Sequence, residues 1–139
     1  MITFKGGEDT IYEVDVYQKE NGRIPIKEFL EGLSSKLRAK AYRDMEMLRK
    51  HGSDLKEPYV KPVKGKYGKD LYELRIKFAN DIARIFYFTY HNNKFILLHG
   101  FIKKTMKTPV QEIIRAKEYM EDYKRRVSQW VEQEYLSTV

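Results

Sequence analysis

Leu71-Tyr72-Glu73-Leu74-Arg75 opens the part of the chain that decides the fold. It is followed by Ala83-Arg84-Ile85-Phe86-Tyr87 and then by Leu98-His99-Gly100-Phe101-Ile102-Lys103-Lys104. All three segments are rich in β-branched and aromatic residues, which is typical of β-strands. We therefore predict three strands at roughly 70–78, 82–91 and 94–103. Each strand carries a cation, which a purely structural strand does not need.

The pairing of these strands follows from their turns. A first hairpin that turns at Ala79-Asn80 places Phe78 opposite Asp81 and Arg75 opposite Arg84. Because side chains alternate between the two faces of a sheet, a slip of one residue would send each cation to the opposite face. The register is therefore the central structural prediction.

The second hairpin is expected to turn at Asn92-Asn93, residues that tolerate the positive φ of a tight turn. This places Arg84 opposite Phe101, with His99 and Lys103 as its diagonal neighbours. The opposite face then collects a coherent apolar core: Leu74, Ile76, Ile85, Tyr87, Ile96, Leu98 and Ile102. The first face is cationic at one end and aromatic at the other, where it carries Phe86, Phe88, Tyr90 and Phe95.

Two arginines opposite each other on one face repel unless a negative charge lies between them. One interpretation is a structural ion-pair network, in which Glu73 or a carboxylate from a helix supplies that charge. The other is a phosphate site, because the guanidinium fork contacts two phosphate oxygens at once. The residues alone leave both interpretations open.

The segments before these strands predict one strand and two helices. Residues 1–10 look like a loose lead-in, and alternation predicts a strand over 11–17. Pro25 suits the first turn of a helix. A second helix begins after Ser34 or Ser35 and ends at His51-Gly52.

A basic loop at 53–70 follows these helices and includes a short edge strand near 59–63. After the three strands, Thr108-Pro109 predicts the start of a long helix that runs to about Glu134. This order predicts an α+β fold. The architecture is a small antiparallel sheet of 4–5 strands with two N-terminal helices and a long C-terminal helix.

Composition limits the class of protein. The 139 residues, 42% of them hydrophobic, fit a single globular domain over 1–139. A net charge of +7 favours an acidic partner such as nucleic acid. There is no cysteine, and the three histidines are widely separated, so we expect no metal site and no cofactor. The N-terminus lacks the pattern of a secretory signal, and we expect a cytoplasmic protein.

Taken in order, these segments resemble the RelE/HigB superfamily of type II toxins, in particular its phage-derived HigB-like branch. The resemblance runs from about Tyr12 to Tyr123, which makes about 11–123 the core and 124–139 a helical extension. It rests on the following motifs: Pro25-Ile26-Lys27-Glu28-Phe29-Leu30, residues 71–75, residues 84–87, residues 98–101, Lys103-Lys104-Thr105 and Thr108-Pro109 before a long helix.

The resemblance implies a RelE-like fold and a small endoribonuclease that cuts mRNA in the ribosomal A site, next to ribosomal RNA. It also implies a cognate antitoxin, in this branch usually a helix-turn-helix protein of the HigA-like kind. Such enzymes work without metal: the 2′-hydroxyl of the RNA attacks the adjacent phosphate, and the protein supplies base, acid and charge stabilisation.

The resemblance also assigns roles by position. Arg84 and Lys104 match cations that stabilise charge on the phosphate, Lys103 precedes the second of these, and Arg75 matches an arginine that positions the RNA backbone. For the base it leaves two candidates, Glu73 and His99. The lysines expected to contact the RNA backbone are Lys61, Lys64, Lys66, Lys69 and Lys107.

This chain departs from the family pattern at the groups that transfer protons. Leu71 and Glu73 stand where relatives carry lysines, and Val110 stands where relatives carry a tyrosine. Two alternatives therefore remain: a ParE-like gyrase inhibitor, and a catalytically inert prophage-derived protein that binds RNA or a partner.

Exposed apolar surface is expected to receive the antitoxin. The candidates are the aromatic end of the cationic face and the groove beside the last helix. Trp130 and Tyr135, in the helical extension, serve either the antitoxin or a homodimer.

Overall fold

The computed structural model describes residues 4–5, 12–91 and 93–138. These ranges contain six strands and three α-helices. The strands are β1 (Phe4–Lys5), β2 (Glu13–Val16), β3 (Val60–Pro62), β4 (Tyr72–Phe78), β5 (Asp81–Tyr90) and β6 (Lys94–Ile102). The helices are α1 (Pro25–Glu31), α2 (Ser35–His51) and α3 (Val110–Thr138), and a short 3-10 helix spans Gly52–Asp54. The α+β prediction is confirmed.

The strands form one mixed sheet in the order β1-β2-β6-β5-β4-β3. The predicted antiparallel sheet is wrong at one pair, because β2 runs parallel to β6. Parallel neighbours need a long crossover connection, and both helices α1 and α2 lie between these two strands in the chain. The predicted 4–5 strands become six because Phe4–Lys5, expected as part of a loose lead-in, pairs with β2. The other residues of 1–11 lie outside the described ranges.

Both of the first two helices begin as predicted, and α2 also ends as predicted. Pro25 occupies the first turn of α1. The Ser34 hydroxyl accepts a 3.3 Å hydrogen bond from the Leu37 N–H and so caps α2. Gly52 ends that helix with a φ of 53°, a conformation that glycine adopts without strain. Both helices cover one face of the sheet.

That face packs against α1 and α2 around a core that includes Val14, Ile26, Leu30, Leu37, Met45, Leu48, Leu74, Ile76, Ile85, Tyr87 and Leu97. The other face packs against α3 through Leu71, Phe86, Phe88, Ile96, Leu98, Phe101, Ile113, Ala116 and Met120. α3 extends past the predicted end at Glu134, and all of its described side chains from Ser128 onward are exposed. No helix within the described ranges carries an apolar stretch long enough to cross a bilayer.

The register of the first hairpin is confirmed: Phe78 lies opposite Asp81, and Arg75 lies opposite Arg84. Ala79 in the turn takes a φ of 53°. Arg75 and Arg84 therefore lie on the same face of the sheet, as the alternation predicted.

The second hairpin is confirmed at one end and wrong at the other. Arg84 lies opposite Phe101 as predicted, but near the turn Tyr90 pairs with Lys94. The pairing shifts between Phe86 and Tyr87, so Leu98 has no partner and forms a bulge. Asn92, half of the expected turn, lies outside the described residues.

The bulge changes which side chains share a face. Ile96 and Leu98, predicted to lie with Ile85, pack instead on the α3 side. Phe95 moves the other way and joins the core beneath α1 and α2. Ile102, predicted in the core, is exposed.

The aromatic end of the cationic face is not an exposed surface. Phe86 and Phe88 are buried beneath α3, and the ring of Phe88 meets Tyr123 edge-on at 5.5 Å. The prediction that this end receives an antitoxin is therefore wrong, because α3 already covers it.

Candidate active site

Two rows of side chains cross the sheet on its α3 face. One row consists of Glu73, Phe86 and His99, since Glu73 lies opposite Phe86 and Phe86 lies opposite His99. The neighbouring row holds Arg75, Arg84 and Phe101. The backbone pairing thus brings one carboxylate and two arginines together.

Beside these rows lies a groove of about 390 Å³, which we call the β3–α3 groove. It is bounded by β3, β4, the segment after β6 and the start of α3. Its lining residues are Lys61, Pro62, Val63, Lys64, Glu73, Arg75, Lys103, Met106, Lys107, Thr108 and Ile113. Five of them are cations, and Glu73 is the single carboxylate among them. Such a lining favours an anionic ligand.

Glu73 is buried and held in place. The Thr108 hydroxyl donates a 2.7 Å hydrogen bond to its Oε1 atom. Its Oε2 atom lies 3.8 Å from Nε of Arg84. This carboxylate therefore lies between the start of α3 and the arginine row.

Arg84 lies beneath this site and is only 4% exposed. Its Nη1 donates to the Ala83 carbonyl at 3.1 Å, and its buried Nε forms no hydrogen bond with the described residues. Burial lowers the pKa of the guanidinium, and the positive charge of Arg75 lowers it further against the opposing effect of Glu73. Arg84 does not line the β3–α3 groove but opens to a neighbouring one.

Lys103 lines the groove, and three neighbouring cations act on its charge. Its pKa is lowered, first by burial and then by Arg84, Arg75 and Lys61, while Glu73 acts in the opposite direction. A lysine of this kind gives up its proton more readily than an ordinary surface lysine.

His99 is not in the groove, because the buried ring of Phe86 separates it from Glu73 across the sheet. Its Nε2 lies 2.9 Å from the Glu112 carboxylate on α3, and its buried Nδ1 has no hydrogen-bond partner among the described residues. Burial lowers the pKa of the imidazole more than Glu112 raises it. The arrangement favours a structural role for His99 over the role of base.

The predicted lysines divide into two groups. Lys61, Lys64 and Lys107 line the groove together with Lys103. Three others are exposed and do not line it: Lys66, Lys69 and Lys104. Lys66 lies 5.0 Å from the ring centre of Tyr67. Lys104, which the resemblance assigns to the phosphate together with Arg84, follows the groove residue Lys103 but does not line the groove.

Thr108 is the residue whose role the sequence did not predict. Together with Pro109 it was expected only to mark the start of the last helix, but its hydroxyl donates to Glu73. The Thr108-Pro109 motif indicated its position before the helix, but no sequence pattern indicated that Glu73 in β4 is its partner.

In residues 4–5, 12–91 and 93–138 no three side chains of metal-binding types come together as a candidate site.

A family model described as phage-derived Gp49-like protein (DUF891) matches residues 28–121. This family is a relative of the RelE/HigB-like toxins. A comparison with curated proteins gave no match.

Proposed function

The chain belongs to the phage-derived Gp49-like family, and from this premise we propose that it is the toxin of a type II toxin–antitoxin system. Its proposed activity is ribosome-dependent cleavage of mRNA, with the RNA strand bound in the β3–α3 groove. A helix-turn-helix antitoxin is its proposed partner.

The observation that carries the proposal is the charge of the groove. Five cations surround one carboxylate, and that carboxylate is already bonded to Thr108 and faces Arg84. Positive charge therefore remains for an external anion, and a phosphodiester supplies it. A network that served structure alone would pair its cations within the protein.

The proposed chemistry uses the RNA's own hydroxyl as nucleophile. Glu73 accepts the proton of a 2′-hydroxyl, whose oxygen forms a bond to the adjacent phosphorus atom. The bond from phosphorus to the 5′-oxygen breaks, and Lys103 donates a proton to that oxygen. The products are a 2′,3′-cyclic phosphate and a free 5′-hydroxyl.

Charge stabilisation is assigned to the cations of the site. Arg75 contacts the phosphate oxygens, and Arg84 contributes from beneath the groove as a fixed positive charge. The lowered pKa of Lys103 makes it a better proton donor than an ordinary surface lysine. Glu73 is preferred to His99 as base because Glu73 lines the groove and His99 does not.

Induced expression with mapping of mRNA 5′ ends tests this proposal. Wild-type protein is expected to stop growth and to produce new 5′ ends within translated codons. Arg75→Ala and Lys103→Ala should each abolish these ends, while Lys36→Ala, an exposed lysine on α2, should retain them. A melting curve for each variant separates loss of chemistry from loss of fold.

Intact mRNA together with a DNA-damage response would overturn the proposal in favour of gyrase inhibition, since fold alone does not select the target.

A second candidate function is an inert RNA-binding protein. The observation that favours it is that both candidate bases already have partners: Glu73 bonds to Thr108, and His99 bonds to Glu112. In that case the protein binds single-stranded RNA with a salt slope of about −0.7 per phosphate contacted. Neither the wild type nor Arg75→Ala then produces new 5′ ends in mRNA.

A further inference from the structure

A second groove of about 380 Å³ adjoins the first, and we call it the α2–β4 groove. It lies beside the start of β3 at Val60, and no strand of the described residues pairs with β4 beyond Arg75 on that side. Its lining residues are Lys40, Pro58, Tyr59, Arg75, Lys77, Ile82 and Arg84. Four of these are cations, and none is a carboxylate.

Two of the four cations have acidic neighbours within the protein. Lys40 forms a 2.6 Å ion pair with the buried Asp44, and Arg84 lies 3.8 Å from Glu73. Arg75 and Lys77 form no ion pair with the described part of the chain. Positive charge therefore remains in the groove.

Arg84 lines this groove but already has an acidic neighbour. Its side chain is nine-tenths buried, and its Nε, which forms no hydrogen bond with the described residues, lies 3.8 Å from the Glu73 carboxylate. Arg84 therefore contributes a fixed positive charge to the groove, while Arg75 and Lys77 are the cations that an external anion would neutralise.

We infer that the α2–β4 groove is a second phosphate-binding site, joined to the β3–α3 groove through Arg75, which lines both. The inference rests on the proposed function, because the same RNA-binding surface is extended around the edge of the sheet. Tyr59 and Pro58 add apolar surface on which a sugar or base packs. The phosphate comes either from the next nucleotides of the mRNA or from ribosomal RNA beside it.

The test measures binding, not cleavage. RNA oligonucleotides carrying 2′-O-methyl groups have no nucleophile and stay intact, and their binding is followed by fluorescence anisotropy at several salt concentrations. The variants are Lys77→Ala and Lys40→Ala, with Lys36→Ala as the matched loss of one exposed charge from the same helix as Lys40.

Lys77 is exposed, so its replacement is expected to leave the fold intact. Loss of one phosphate contact lowers the salt slope by about 0.7, which corresponds to about fivefold weaker binding at 0.1 M salt. Lys36→Ala should bind like the wild type.

A second arm measures binding to purified ribosomes and identifies the source of the phosphate. Weaker binding of Lys77→Ala to the oligonucleotide assigns the site to mRNA, and weaker binding to ribosomes alone assigns it to ribosomal RNA. If Lys77→Ala and Lys36→Ala behave alike in both arms, the second site does not exist.

The same data separate the inference from the proposed function. A wild-type protein that never cuts RNA, but whose binding depends on Lys77, retains the second site and loses the nuclease assignment.

Discussion

Thr108 donates a 2.7 Å hydrogen bond to Oε1 of Glu73 across 35 positions of the chain. The bond joins the carboxylate of the groove to the residue that precedes Pro109 and the start of α3. A change at the start of this helix that moves Thr108 therefore alters the environment of Glu73, the candidate base.

Replacing Thr108 by valine keeps the shape of the side chain and removes its donor. The buried Glu73 carboxylate then loses its only hydrogen bond among the described residues, and we expect the free energy of unfolding to fall by about 1–3 kcal/mol. Urea denaturation measures the change. Thr105→Val is the control, because the Thr105 hydroxyl donates to a carbonyl at the surface and its loss should cost little.

Glu73 and Arg84 are expected to respond differently to substitution. Glu73→Gln leaves Arg84 buried beside Arg75 without a negative charge, and a loss of about 3 kcal/mol is expected. Arg84→Met removes that buried charge, and Glu73 still has Thr108, so the loss should be smaller. Equal losses for the two variants, measured by urea denaturation, would show that Glu73 does not offset the charge of Arg84.

Stability should depend on pH through His99. Its pKa is lowered in the folded state, chiefly by burial, from an ordinary value of about 6.5. Below that value the unfolded chain takes up a proton that the folded protein resists, so stability is complete above about pH 6.5 and falls as the pH decreases. His99→Gln should flatten this dependence below about pH 6.5, while a change at the exposed His51 should leave it in place. An unchanged slope in His99→Gln would contradict the prediction.

Gly100 is closely packed against α1. A Cβ atom added there would lie 2.5 Å from ring atoms of Phe29 and 3.0 Å from the carbonyl oxygen of Arg84. Gly100→Ala is therefore expected to cost about 1–3 kcal/mol in thermal or urea unfolding. The double variant Gly100→Ala with Phe29→Leu should recover part of that loss, because the smaller side chain makes room. If the double variant is no more stable than Gly100→Ala, the destabilising contact is the one between the added Cβ atom and the carbonyl oxygen of Arg84.

Much of the fold was predictable because local rules decide it. Pro25, Ser34 and Gly52 mark the helix ends through backbone and capping preferences that act within a few residues. The first hairpin follows from strict alternation around a two-residue turn, and this placed Arg75 opposite Arg84 correctly.

The errors have equally specific causes. An unpaired Leu98 reversed the faces of Ile96 and Phe95, and a bulge leaves no clear mark in a run of apolar residues. The parallel pairing of β2 with β6 depends on how two helices cross the sheet, which periodicity does not report.

The sequence by itself determined the positive charge of the protein, the strands that carry it and the opposition of two arginines, because alternation and composition are properties of the chain alone. Only the tertiary structure decided that Glu73 bonds to Thr108, that His99 pairs with Glu112, and that Lys103 enters the groove while Lys104 does not. Those contacts depend on the position of α3 over the sheet. Its placement follows from burial of the apolar face as a whole, and no short motif encodes it.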